Sequence, residues 1–414
     1  MNDAPLDGWA NWAGNVTAPG VEVLRPHDAD ELRAALQRAA RDRSVVRVAG
    51  RGHSFSPLVH SPQLIVDLAA FTGVSDVEPG VGGGGRAWVG AGTPIFALGS
   101  ALWAHGLSLH NQGDIDTQSI GGAVATGTHG TGPTLGCLSS AVDGVRLMTA
   151  DGEQWECDAD HHGELFAASR LGLGATGVVT ALRIRLAPAY HLHERTWLEP
   201  TATCLERLDE RVGATRHFEF FWLPDSDRCF AKSLAPQPAA PADTAPDRAP
   251  EPASAAADGP TRLVSDRVDR AYRVFPSVRS ERFVEMEFAV PAGAGPVCFA
   301  ELRELYQRHH PEVTWPIEYR TLAGDDTWVG PASERDSVTL SVHQSVALDH
   351  RPLFNDAEAI FRAHGGRPHW GKLHRFDGED LARAYPHWER FWAVADQVDP
   401  NGRFRNDHLR HLRP

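Results

Sequence analysis

Two stretches of the 414-residue sequence combine glycine with hydroxyl and imidazole side chains closely enough to do chemistry. The first is Gly50-Arg51-Gly52-His53-Ser54-Phe55-Ser56, which follows an apolar run from residue 44. Glycines there let backbone N–H groups crowd around phosphate oxygens as an anion-binding nest, with no Walker lysine needed. The second is GGAVATGTHGTG, residues 121–132. Its small residues admit a large planar ligand to the backbone, and its hydroxyls satisfy polar edges. A tight turn explains either stretch alone equally well. Together, each closing a strand in the same half of the chain, they favour a large phosphate-bearing cofactor. GVGGGG at 80–85 has the GxGxxG spacing, but Pro79 precedes it and a strand follows. A dinucleotide fingerprint follows a strand and opens a helix, so this run reads as a loop.

The elements that must position these stretches form an α+β pattern. Residues 28–41 read as an amphipathic helix capped by Asp28 or Asp30, with Leu32, Leu36 and Ala39 on one face. Apolar runs at 44–50, 64–68 and 86–92 read as strands, and 94–106 as a helix. A hairpin turns at Asp151-Gly152, and a strand over 175–188 closes this half. From about 190 the pattern changes. Residues 217–223, 228–234, 283–291 and 337–344 alternate as strands of an antiparallel sheet, with helices at 296–309 and 356–366. Residues 235–260, rich in Pro, Ala and Asp, cannot bury apolar area and read as a flexible insert in this second domain. The expected division is 1–190, 191–375 and a C-terminal segment, 376–414, that returns to the first domain.

Composition narrows the function classes. A formal net charge of -14 disfavours a partner such as nucleic acid or an anionic membrane. No apolar run is long enough to span a bilayer, and the N-terminus lacks a basic start and an apolar core. Five scattered cysteines without CxxC read as reduced thiols in a cytoplasmic protein with no metal site.

RVAGRGHSFSPL (47–58), NQGDIDTQSIGGAVATGTHGTG (111–132), HWGK (369–372) and DPNGRF (399–404) occur in the order found in vanillyl-alcohol-oxidase-type flavoproteins. Within that superfamily the chain most resembles the sugar branch, the aldonolactone and alditol oxidases. The resemblance implies a PCMH-like FAD-binding domain of two subdomains and a cap domain with an antiparallel sheet. It implies covalent FAD, joined through its 8α-methyl to His53. Arg51, Gly52, Ser54 and Phe55 are then expected at the pyrophosphate. Gly122, Thr126, Gly127, Thr128 and His129 are expected at the flavin and its ribityl chain, and Val178 and Val179 near the adenine. Glycine at 113 goes with oxidases of this family, where the position gates O2, and alanine with dehydrogenases. Asp114 departs from the serine of alditol oxidases, which leaves the substrate open.

Oxidising a carbinol needs hydride delivery to the flavin and a partner for the hydroxyl proton. Glu318 and Arg320, two apart on a strand, share a face. The resemblance assigns Arg320 and Lys372 to the flavin edge and the substrate oxygens, His343 to proton acceptance, and Glu318 to orienting Arg320 or a hydroxyl. The expected function is oxidation of a sugar-like alcohol (lactone, alditol or related polyol) with O2 as acceptor and hydrogen peroxide as product. A nucleoside or other glycosidic primary alcohol as substrate, or a dehydrogenase using another acceptor, are the rival expectations.

Overall fold

Capping and period account for the first elements. The Asp28 carboxylate accepts from the N–H groups of Asp30 and Glu31, and so starts the helix Ala29–Arg41. Leu32, Leu36 and Ala39 of that helix pack onto Val46, Leu64 and Val66. These belong to a parallel sheet in the order Glu22–Leu24, Leu64–Asp67, Val46–Ala49, and the helix is one of its crossovers. The structure is a computed structural model and describes residues 8–238, 261–277 and 281–413.

A second sheet runs Gln154–Cys157, Val142–Met148, Val178–Pro188, Gly85–Gly90, Val74–Pro79, with Leu107–Ser108 paired to one end of Val178–Pro188. The GVGGGG run links Val74–Pro79 to its antiparallel neighbour Gly85–Gly90, as a loop rather than a helix opening. Asp151-Gly152 turns the hairpin between Val142–Met148 and Gln154–Cys157, with Gly152 at φ 87°.

Ala189 alone separates Val178–Pro188 from Tyr190–Pro200, so the chain passes directly from the second sheet into a third. This sheet is antiparallel and eight-stranded. Its order is Arg262–Arg270, Tyr190–Pro200, Arg228–Pro238, His217–Leu223, Ile317–Leu322, Ser337–Ser345, Phe283–Pro291, Arg367–Pro368. Alternation sorts its side chains onto two faces. One face carries Phe218, Phe220, Trp222, Tyr319 and Leu340 and packs on the helix Gly295–His309; Phe220 stacks on Tyr319 at 4.9 Å and meets Phe299 edge-on at 5.2 Å. The opposite face is equally buried but polar: Glu219, Lys232, Glu285, Glu287, Glu318, Arg320 and His343. An antiparallel sheet commonly turns its polar face to water. Here that face lies against the first half of the chain, where Asp114 and His129 meet it.

The C-terminal helices Trp388–Val398 and Asp407–Leu412 come back to the first half. Arg390 pairs with Glu164, and the Val46 N–H donates to the Arg403 carbonyl. Two sequence expectations change. The helix expected from 356 begins at Arg351, with Pro352 in its first turn, where its missing N–H costs nothing. The insert expected from 235 starts later, because Arg228–Pro238 is one strand; the rest of that insert lies outside the described residues. All five cysteines are buried and unbridged. Among the described residues no helix is long and apolar enough to cross a membrane.

Candidate active site

The turn after Val46–Ala49 is held from distant parts of the chain. The Trp12 N–H donates to the Gly52 carbonyl at 2.7 Å, and the Asn11 and Asn15 amides donate to the carbonyls of Ser54 and Phe55. The Phe55 N–H donates to Gly371 O at 2.7 Å and the Ser56 hydroxyl to Trp370 O at 2.6 Å, so HWGK docks directly on the GHSFS turn. Asn406, the N-cap of the last helix, donates to the carbonyls of Pro57 and His60. Buried Arg47 donates to the carbonyls of Leu58, Leu173, Gly174 and Phe404. Gly52 has φ 72°, a left-handed conformation that a side chain would strain.

Held this way, the His53 ring stacks on Trp12 at 5.9 Å, and its Nε2 lies 2.8 Å from the Thr117 hydroxyl. Burial, reinforced by the charges of Arg51 and Lys372, lowers His53 to about 4. Its imidazole is therefore neutral at neutral pH and keeps a nucleophilic lone pair.

His53 borders a cavity of about 750 Å³. Arg51, Gly52 and Ser54 line it beside His53, and Gly122, Thr126 and Val179 line it further along. Its walls are close-set backbone. A Cβ on Gly50 would fall 2.3 Å from Ser119 Oγ, and one on Gly121 would fall 2.8 Å from Ala91 Cβ. A cavity of this size, walled by backbone and small side chains and flanked by Arg25 and Arg51, fits a long phosphate-bearing ligand such as FAD. Phe55 and Val178 lie off its wall. Phe55 turns into an aromatic cluster with Trp12 and Phe283, and Val178 points into the core while its neighbour Val179 faces the cavity. Gly113, Asp114, Gly127, Thr128 and His129 also lie off this wall. Asp114 and His129 meet the cap sheet, while Gly127 abuts Pro331 and Leu171.

On the cap face, His343 Nδ1 lies 2.9 Å from Pro316 O. A carbonyl only accepts, so Nδ1 carries a proton. His343 Nε2 is 3.7 Å from Glu285 Oε1. Lys372 pairs with the other Glu285 oxygen and sits 5.2 Å above the Phe55 ring. Burial raises the Glu285 carboxyl, but Lys372 and then His343 bring it below its ordinary value. Glu287 accepts from His129 Nε2 at 2.6 Å; despite burial, His129 and then His369 hold it well below the usual range. Arg320 donates to Glu219 at 3.1 Å, lies 3.5 Å from Asp114 and touches Glu318. Glu285, Glu318 and His343 bring one ligand atom each within 4.8 Å of one another, with Lys372 and Arg320 supplying the positive charge that a bound cation would otherwise bring.

Aromatic rings bridge the cavity wall and the cap face. Trp12 contacts both His53 and Phe283, at 5.9 and 5.4 Å, and Phe283 contacts His343 at 5.4 Å. The structure thus brings Glu318, Arg320, His343 and Lys372 together and joins them to His53 through two aromatic rings. Sequence reasoning missed Thr117, Glu219, Lys232, Glu285 and Glu287. For the three glutamates the signal was a charged residue inside an otherwise apolar strand, as in HFEFFWL and FVEMEFAVP.

A family profile described as D-arabinono-1,4-lactone oxidase matches residues 182–253 and 242–412, and one described as FAD binding domain matches 22–158. The chain is 34% identical to an L-gulono-1,4-lactone dehydrogenase of Mycobacterium tuberculosis over 98% of both chains. It is 32% identical to an alditol oxidase of Streptomyces sp., covering 97% of this chain and 98% of the relative. A solvent-stable cholesterol oxidase superposes with TM-score 0.83 at 15% identity over 98% of this chain and 97% of the other, a likeness of fold.

Proposed function

The chain belongs to the aldonolactone oxidase and alditol oxidase family of FAD-dependent oxidoreductases, and from that premise we propose that it oxidises a CH–OH group of a sugar-like substrate (an aldonolactone, alditol or related polyol). One observation carries the reading: a glycine-walled cavity bordered by a neutral His53 is linked through Trp12 and Phe283 to a buried sheet face bearing His343, Glu318 and Arg320, with Lys372 beside it. On this reading residues 1–190 bind the cofactor, 191–375 form the cap and 376–414 return to the first domain.

Arg51, Gly52 and Ser54 would hold the pyrophosphate, Gly122 and Thr126 the flavin side, and Val179 the adenine end. The neutral ring of His53, oriented by Thr117 and Trp12, is suited to covalent attachment at the flavin 8α carbon. Bound FAD supplies the acceptor for the hydride that leaves the carbinol carbon. The protein's own part is to take the hydroxyl proton and to stabilise developing charge. His343 Nε2, the ring nitrogen that does not face the Pro316 carbonyl, is the proton acceptor on this reading. Lys372 and buried Arg320 provide the positive charge that stabilises the developing charge.

We take O2 as the electron acceptor and hydrogen peroxide as the product, supported by the oxidases among the relatives and by glycine at 113. A Cβ there would fall 3.0 Å from the His129 carbonyl and 3.4 Å from Thr128 Cγ2. The dehydrogenase name of the M. tuberculosis relative favours a second reading, with another acceptor. The test is anaerobic mixing of the holoprotein with a panel of lactones, alditols and nucleosides, followed by air. Bleaching of the flavin by a lactone or alditol, with peroxide on admitting air, is expected. A flavin that none of them bleaches sinks the substrate class, and bleaching that air does not reverse sinks the oxidase reading.

A further inference from the structure

The two ring nitrogens of His53 are held differently. Nε2 lies 2.8 Å from the Thr117 hydroxyl, and among the described residues no hydrogen bond engages Nδ1. Trp12 stacks on the ring at 5.9 Å with an interplanar angle of 29°, and so limits its tilt. His53 and Thr117 both line the cavity of about 750 Å³.

Thr117 is placed by the loop on which it stands. The N–H groups of Ile95 and Phe96 open the helix Ile95–Ala104 and have no partner within it. They donate instead to the carbonyls of Gln118 and Asp116, each at 3.0 Å, which flank Thr117 in the chain. The Ile120 N–H donates to Thr93 O at 2.9 Å, and Ser119 is bridged to Pro94. Residues 116–120 are thus strapped along residues 93–96. The same loop lies on the turn that carries His53, because Gly50 has no side chain: a Cβ there would fall 2.3 Å from Ser119 Oγ.

A hydroxyl can accept from a ring N–H or donate to a ring lone pair, and a neutral imidazole has one of each. His53 is neutral at neutral pH, since burial, and then the charges of Arg51 and Lys372, lower it to about 4. If Thr117 donates, Nε2 spends its lone pair on the hydroxyl and Nδ1 carries the proton, so neither nitrogen can form a new bond. If Thr117 accepts, the N–H is on Nε2 and the lone pair is on Nδ1. Only the second arrangement leaves a nucleophile.

We propose that Thr117 is a positioning residue for covalent attachment of the cofactor: its hydroxyl accepts from the Nε2–H of His53 and so leaves Nδ1 to bond the flavin 8α carbon. The proposal rests on reading His53 as the attachment site. In this step the bond from Nδ1 to the 8α carbon forms and one C–H bond of that carbon breaks. The flavin takes up the electron pair and two protons, in balance with those lost from the 8α carbon and from Nε2, and is thereby reduced. O2, the acceptor of the oxidase reading, then removes both electrons and both protons and leaves as hydrogen peroxide. As Nδ1 bonds, positive charge develops on the ring, and the hydrogen bond from Nε2–H to Thr117 strengthens. Thr117 is exposed, so the Nε2 proton has a path to solvent.

The test reads attachment and not turnover. In protein produced under limiting riboflavin, the flavin that stays with the chain after acid precipitation is followed during incubation with added FAD in air. Thr117→Val is expected to bind FAD but to attach it about ten- to a hundredfold more slowly, the worth of one hydrogen bond to a group that becomes charged. Thr117→Ser, which keeps the hydroxyl, should attach it at close to the wild-type rate. NMR of the flavin peptide from the wild type should place the bond at Nδ1. Thr117→Val that attaches FAD at the wild-type rate, or that no longer binds it, overturns the proposal. So does a wild-type linkage through Nε2, or Thr117→Ser that is as slow as Thr117→Val. Wild-type protein that binds FAD and attaches none overturns the reading of His53 itself, which keeps the two failures apart.

Discussion

The two halves of this molecule build their sites in opposite ways. The cofactor side takes its wall from short continuous stretches, so that Arg51, Gly52, His53 and Ser54 arrive together and Gly121 and Gly122 arrive together. The cap takes one or two residues from each of several strands: Glu219, Lys232, Glu285, Glu318 and His343 come from five. A site made of consecutive residues is fixed by local conformation and by whatever pins the turn. A site made across strands is fixed by register, and a slip of one residue would send every one of these charges to the aromatic face. The first design tolerates change elsewhere in the sheet. The second makes each charge depend on its partner.

The largest effect should come from breaking the contact that joins the two designs. Trp370 is fully buried, stacks on Trp388 at 5.4 Å, and its carbonyl holds Ser56. Trp370→Ala is expected to cost about 3–5 kcal/mol in denaturant unfolding. It should also lower the fraction of protein that carries flavin on His53, although the residue touches no wall of the cavity. Normal flavin attachment with normal stability would show that the turn at His53 needs no support from HWGK.

Next comes a charge on the cap side. Lys372→Met leaves Glu285 buried without its cation. We expect kcat to fall about 100- to 1,000-fold. Adding Glu285→Gln should recover the denaturation midpoint without recovering kcat, because it removes the stranded charge and not the need for a cation. Recovery of both would reduce Lys372 to a counter-ion.

Acid should act on the C-terminal segment that braces the cofactor side. Both ring nitrogens of His374 and Nε2 of His408 are buried without hydrogen-bond partners among the described residues. Burial is the main cause that lowers His374 to about 3 and His408 to about 4, from an ordinary value of 6.5. The unfolded chain therefore binds these protons first. Stability is fully present above pH 6.5 and is lost as pH falls toward 4. Thermal unfolding between these limits should show a falling Tm, and His374→Leu should flatten the slope. An unchanged slope would exonerate His374.

The smallest effect is expected at Gly113. A methyl group there presses on the His129 carbonyl at 3.0 Å, which a shift of a few tenths of an ångström relieves. Gly113→Ala should lower the rate with O2 relative to the rate with a dye acceptor. A ratio that stays constant would leave Gly113 a turn residue and nothing more.

How much was legible follows the same division. His53, Gly52, Gly122 and Thr126 were visible because their chemistry and their spacing lie in the same short windows. The strands His217–Leu223 and Phe283–Pro291 were visible through alternation, to the residue. Arg262–Arg270 was not, because an edge strand carrying charge on both faces has no apolar period. Glu318 and Arg320 could be placed on one face from their spacing, yet nothing local said that Glu219 and Lys232 would stand beside them. That follows from pairing between strands 101 residues apart at Glu219 and Arg320. Phe55 and Val178 illustrate the converse: they sit inside or beside the cofactor motifs, but their side chains turn into the core.

His53 is where the local design meets the assembled one. Proteolysis of the acid-denatured holoprotein, followed by mass spectrometry of the peptide containing His53, tests this most directly. The predicted result is a peptide carrying FAD on His53, and its loss in His53→Ala. Unmodified peptide, with all the flavin released by acid, would contradict it.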